Sequence, residues 1–177
     1  MRTKTIVAVV GFVCILVLMA SIQSTPAKDR ENAEWMDVAG YNEMVGIISP
    51  GSGFPPTPGG KIRGLILVAQ FTATTTGPAA DFLSGFGGPT TINANLDKNM
   101  TGPFWFTFEW SKGEFTWAGT CNGQYNWALS AGSWKCKGHL RGPGIKHGVV
   151  INDTLQTGPS PMLTAYSFGR AIGLPED

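Results

Sequence analysis

Apolar residues along most of this chain recur at every second position. In residues 62–74, Leu65, Leu67, Ala69 and Phe71 alternate with Gly64, Ile66, Val68 and Gln70. Ile92, Ala94 and Leu96 alternate with asparagines. A period of two is that of a strand with two different faces. Phe104, Phe106, Phe108 and Trp110 take one face of the next strand, and Trp105, Thr107 and Glu109 the other. Phe115 and Trp117 then share a parity, as do Tyr125, Trp127 and Leu129, and again Trp134, Cys136 and Leu140.

Turn lengths are testable against these faces, because a slip of one residue turns a strand over. A two-residue Asn122-Gly123 turn sends Tyr125, Trp127 and Leu129 away from Phe115 and Trp117. A three-residue loop, Asn122 to Gln124, pairs Cys121 with Tyr125 and keeps the rings together. The same test favours a four-residue loop over residues 111–114 and a two-residue turn at Ala131-Gly132 that faces Trp127 with Cys136. The product is a four-stranded meander with one aromatic face. Residues 145–151 and 163–168 add strands, and residues 44–49 bring the total to eight or nine. Residues 75–89 read as a long loop around Phe82 and Leu83. No stretch after residue 40 sustains a period near 3.6, and 24 glycines disfavour long helices. The class is all-β. Consecutive tight hairpins favour a single antiparallel up-and-down barrel of about eight strands over the alternative, a β-sandwich.

The first residues follow another pattern. Arg2 and Lys4 precede an apolar run from Ile6 to Ala20, which gives way to small and polar residues up to Ala27. Charge, apolar core and small-residue exit, in that order, describe a secretory signal peptide; the run also sits at the short limit for an uncleaved anchor helix. Residues 1–27 are read as that signal or anchor. Residues 28–60 follow as an arm and linker, because residues 50–60 hold four prolines and four glycines. Residues 61–177 are the barrel domain. Either fate of residues 1–27 puts the domain outside the cytoplasm, secreted or membrane-anchored at the cell envelope, and membrane contact is expected only through the anchor.

Removing Arg2 and Lys4 from the 13 basic residues leaves 11 against 12 acidic ones. A nearly neutral domain has no long-range field to gather a polyanion, so nucleic acid is excluded as a partner. The remaining cysteines, Cys121 and Cys136, form an even pair in an oxidising compartment, which favours a disulfide. The register above opposes it. It leaves the two on one face but two strands apart, roughly 10 Å, where a disulfide needs about 7 Å or less. Asn99 and Asn152 head glycosylation triplets.

Ten of the 19 aromatic residues fall between Phe104 and Trp134. If their shared face points into a barrel, Trp110, Trp117, Trp127 and Trp134 wall a cavity for an apolar or sugar ligand; the competing reading is that they fill the core. Lys135, Lys137, His139 and Arg141 form an outward basic row, suited to an anionic surface or to a solvated face that discourages edge association. No metal site is expected, since inward Cys136 and outward His139 diverge, and His147 lies beyond. No catalytic motif is present. Glu109 and Glu114 merely flank one hairpin turn. In architecture the meander resembles the secreted eight-stranded barrels of lipocalins, avidins and allene oxide cyclases, although the Gly-x-Trp element that lipocalins carry near the first strand is absent there. The leading expectation is a secreted, non-enzymatic barrel that binds an apolar or carbohydrate ligand through its aromatic face, without a cofactor. A structural or adhesive surface protein, open to homo-oligomerisation, is the alternative. A barrel isomerase or cyclase comes third.

Overall fold

A computed structural model describes residues 34–158 and 164–175. Eight antiparallel strands close on themselves in chain order. They are β1 Met36–Ser49, β2 Lys61–Ala73, β3 Gly87–Asn95, β4 Thr101–Lys112, β5 Phe115–Asn126, β6 Ala131–Arg141, β7 Gly148–Thr157 and β8 Ala165–Ile172. β8 pairs back onto β1, from Met36↔Ala171 to Asn42↔Ala165, so the sheet is a barrel and not a sandwich. The signal or anchor reading of residues 1–27 lies outside the described residues.

The barrel begins before Lys61. β1 belongs to the stretch whose composition suggested an arm, yet it pairs with both β2 and β8. Before Met44 its inward positions are Val38, Gly40 and Asn42, which carry little apolar signal, and two register shifts, between Met44 and Gly46 and between Ile47 and Ser49, break the parity of the rest. Each bulge adds a residue and inverts the parity that a pattern relies on. The Pro/Gly segment 50–60 connects β1 to β2 and is tied back by paired backbone hydrogen bonds between Ser52 and Arg63, 2.9 and 3.0 Å.

The aromatic meander has three strands and not four. Asn122-Gly123 is no turn but lies in the middle of β5, and Ala131-Gly132 opens β6. The hairpin between them is the four-residue turn 127–130, which removes Trp127 from a strand and leaves Leu129 62% exposed instead of inward. The β4–β5 turn holds only Gly113 and Glu114, opposing Trp110 to Trp117. The two-residue error in that register preserved parity, so the faces of β4 and β5 stay as read. With β5 continuous, Cys121 and Cys136 are direct partners across β5 and β6, bonded to each other with Cα atoms 4.1 Å apart. The strand thought to separate them does not exist.

Gly123 explains the false turn. It opposes Trp134, and a Cβ there would come within 2.6 Å of the Trp134 backbone and Cβ. Other inward rings also sit against glycine. A Cβ on Gly138 would meet the Trp117 ring at 2.8 Å, one on Gly132 the Tyr125 ring at 2.6 Å, and one on Gly40 the Phe71 ring at 2.6 Å. Strand glycine here makes room for a neighbour's ring.

One end of the barrel is filled. Between β2 and β3 the chain makes a short helix, α1 (Pro78–Leu83), inside the stretch read as loop. Leu83 and Phe86, with no exposed surface, pack against Phe71, Trp117, Leu140, Val150 and Ala171 from strands around the barrel. Lys112 Nζ donates to the Asp81 and Phe82 carbonyls at the end of α1, at 3.0 and 2.9 Å, where a cation suits the unpaired helix carbonyls.

Two measurements test this packing. Gly138→Ala is expected to lower unfolding stability by about 1–3 kcal/mol, the usual range for overpacking a filled interior, read from the urea midpoint. Replacing Cys121 and Cys136 together by serine opens a link spanning 15 residues and is expected to cost about 2–4 kcal/mol on the same urea scale.

Candidate functional site

The interior divides into two halves. The end closed by α1 is packed around Phe86, Leu83 and Trp117. Toward the other end, made by segments 50–60, 96–100 and 127–130, a second cluster forms around Ile62, Leu65, Ile92, Ala94, Leu96 and Phe104. This half does not fill. It holds a cavity of about 180 Å³, partly open to solvent. That exceeds the roughly 150 Å³ in which an engineered apolar cavity accepts benzene.

The wall from β2 to β6 is apolar and aromatic. Phe104 stacks on Phe106 at 5.7 Å and meets the edge of Trp134 at 5.4 Å; Tyr125 meets Trp127 edge-on at 5.1 Å. Such offset and edge-to-face contacts are the favourable ring geometries. Trp110 and Trp117, perpendicular at 5.3 Å, lie between the cavity and the packed end. Trp110 Nε1 donates to Thr90 Oγ1 at 3.0 Å.

The remaining wall mixes Met44, Ile47, Phe54 and Ala165 with a few polar side chains. On β1, β7 and β8, Asn42 Nδ2 donates to Ser167 Oγ at 2.8 Å, Thr154 and Ser167 hydroxyls share a 2.7 Å bond, and Asn152 Nδ2 donates to Thr154 Oγ1 at 3.0 Å. Asn42, Asn152 and Gln156 line the cavity. Three polar atoms on lining residues, Asn152 Oδ1, Trp127 Nε1 and Trp117 Nε1, are buried without a partner. Burial pushes the Tyr125 phenol above its usual pKa, opposed by hydrogen bonds with the Ser130 and Gln156 side chains.

All four tryptophans singled out by pattern, Trp110, Trp117, Trp127 and Trp134, line this cavity, Trp127 from a turn and the others from strands. Cys121 and Cys136 line it too, as a disulfide. Lys135, Lys137, His139 and Arg141 are exposed on the outer face, where Lys135 pairs loosely with Asp153 at 3.5 Å. Glu109, Glu114 and His147 are exposed as well.

These polar side chains were missed. Asn152, Thr154 and Gln156 share one parity of β7, a pattern that was legible, but Asn152 had been read as a glycan acceptor. In the folded barrel its amide is engaged with Thr154 and Ser167, so a glycan there conflicts with the fold; Asn99 is exposed.

No protein-family model, curated protein or solved structure matches the chain. Function therefore rests on the cavity itself.

The Tyr125 phenol binds its proton more tightly in the folded chain than at the ordinary value of 10.0. The unfolded chain releases the proton first, so stability is intact below that value and falls as pH rises through the folded one. Urea unfolding between about pH 9 and about pH 11 is expected to show this decline, and Tyr125→Phe to flatten it.

Proposed function

We propose that this protein is an exported, non-enzymatic barrel that binds a small apolar molecule in its interior. The observation that carries the reading is a cavity of about 180 Å³ whose wall from β2 to β6 is aromatic and aliphatic, in a barrel otherwise packed at one end. A concave, mostly apolar site with a few polar groups is the usual form of a small-molecule pocket. Of the two ligand classes suggested by the aromatic face, this wall favours the apolar one, since a sugar would bury hydroxyls against rings that offer few partners. The disulfide is consistent with an oxidising compartment and supports export. An isomerase or cyclase would need a proton-transfer group in the cavity, and Glu43 and Tyr125 are the ionisable side chains that line it.

One observation favours assembly alongside binding. Leu155, Tyr166 and Phe168 are 47%, 55% and 60% exposed on the outer face of β7 and β8, with Leu155 directly opposite Tyr166. Adjoining exposed apolar side chains commonly mark interaction surfaces. This supports the structural or adhesive reading, which sedimentation over a concentration series tests.

Titration with benzene, followed by NMR of the tryptophan indole resonances, tests the interior site. Saturable shifts at Trp127 and Trp134 are expected. Leu67→Trp fills the cavity with a larger ring and is expected to weaken benzene binding by about tenfold or more, the penalty of overpacking carried into binding. Binding unchanged in a folded Leu67→Trp variant would place the ligand elsewhere.

A further inference from the structure

We propose that the open end of the barrel docks on the surface of a neutral lipid bilayer, with its mouth toward the hydrocarbon. Docking of this kind goes beyond interior binding and does not depend on it. In β1, Met44 pairs with Ala69 and Gly46 with Val68, then Ile47 with Leu67 and Ser49 with Ile66. Val45 and Ile48 are therefore the extra residues of the two bulges, left out of the ladder. Bulges are common at barrel rims, where they re-aim side chains. The side chains affected here are 65% and 61% exposed, and with Leu129 they are the three most exposed large hydrophobics among the described residues.

All three stand at the mouth. There β1 runs past β8: their last partners are Asn42 and Ala165, whereas β1 continues to Ser49 against β2. Ile47, between the bulge residues, lines the cavity and is itself exposed. Leu129 lies in the turn between β5 and β6, half-way round the circuit of eight strands from the β1–β2 connection, and so across the opening from it.

Charge separates this end from the other. Residues 44–60, bounded by Glu43 and Lys61, include no charged side chain, and neither do residues 115–134, which form β5 and its turn into β6. The third mouth segment, 96–100, holds one acid and one base, Asp97 and Lys98. The closed end instead carries exposed Asp81, Glu114, Arg141, Lys146 and His147. A protein partner is ordinarily met by an apolar centre inside a polar, hydrogen-bonding rim. Aliphatic side chains on two uncharged segments suit hydrocarbon instead, and Trp127, in the same turn as Leu129, is of the residue type that settles at headgroup level. With no basic cluster at the mouth, anionic headgroups offer no advantage over neutral ones.

The test uses the full-length oxidised protein carrying Cys14→Ser and an environment-sensitive dye on one new cysteine. Three sites are compared: Ile48→Cys, Leu129→Cys and, at the closed end, Glu114→Cys. The vesicles are phosphatidylcholine, with and without bromine on the acyl chains as a quencher. The two mouth dyes are expected to shift to the blue and to be quenched by brominated lipid, and the Glu114→Cys dye to do neither. Adding Val45→Ser is expected to reduce quenching of the Leu129→Cys dye while leaving the urea midpoint unchanged, since Val45 lies outside the ladder. Each dye reports its own depth, so attachment through residues 1–27 alone does not mimic this pattern. Mouth dyes that respond no more than the Glu114→Cys dye would overturn the proposal. A blue shift of the mouth dyes that follows protein concentration without vesicles would overturn it in favour of a second copy of the chain as the occupant. Either outcome leaves benzene binding, and with it the interior-binding reading, untouched.

Discussion

A closed sheet of eight strands has a fixed bore, and every inward ring must take its space from something opposite. In this protein the space comes from glycine. Gly123 yields to Trp134, Gly138 to Trp117, Gly132 to Tyr125 and Gly40 to Phe71. At Gly138, Gly132 and Gly40 a large ring lies against bare backbone on the adjoining strand, and at Gly123 the Cα and Cβ of Trp134 do. The closed barrel, its packed end and its cavity all depend on this exchange. Adding methyl groups to those glycines would push the rings off their rotamers or force the strands apart, because packed interiors yield little. It also accounts for a composition rich in both tryptophan and glycine within strands, where glycine alone would weaken pairing.

The eight-stranded antiparallel class was legible because alternation survives errors of register that are even in number. Misplacing the β4–β5 turn moved the pairing by two residues and left Trp110 and Trp117 on the right face. The same property hid the mistake in β5. Trp117 and Tyr125 are eight apart, so they share a face on an uninterrupted strand as well as across the loop that was inferred. Asn-Gly is a strong hairpin signal only where both residues are free to turn. Gly123 was instead needed as space for Trp134, a tertiary demand that no local pattern displays. The first half of β1 stayed hidden for another reason, since its inward positions include Gly40 and Asn42 and show no apolar alternation.

Of the candidate site, the aromatic residues were visible and the polar ones were not. Rings stand out in a sequence, whereas Asn42, Asn152, Gln156 and Ser167 are common surface residue types whose placement only closure reveals. Their bonds connect β1, β7 and β8, the strands that meet at the seam where the chain's two ends join. Sealing that seam with hydroxyls and amides gives it directional bonds, which specify register more narrowly than apolar contact does.

The plug made by α1 and Phe86 makes the bore a blind one. Under the interior binding proposed above, Trp110 and Trp117 form the floor that an entering molecule would meet. Size then restricts only the leading portion. A compound longer than the hollow, or one tethered to a larger body, would then leave its trailing part in solvent.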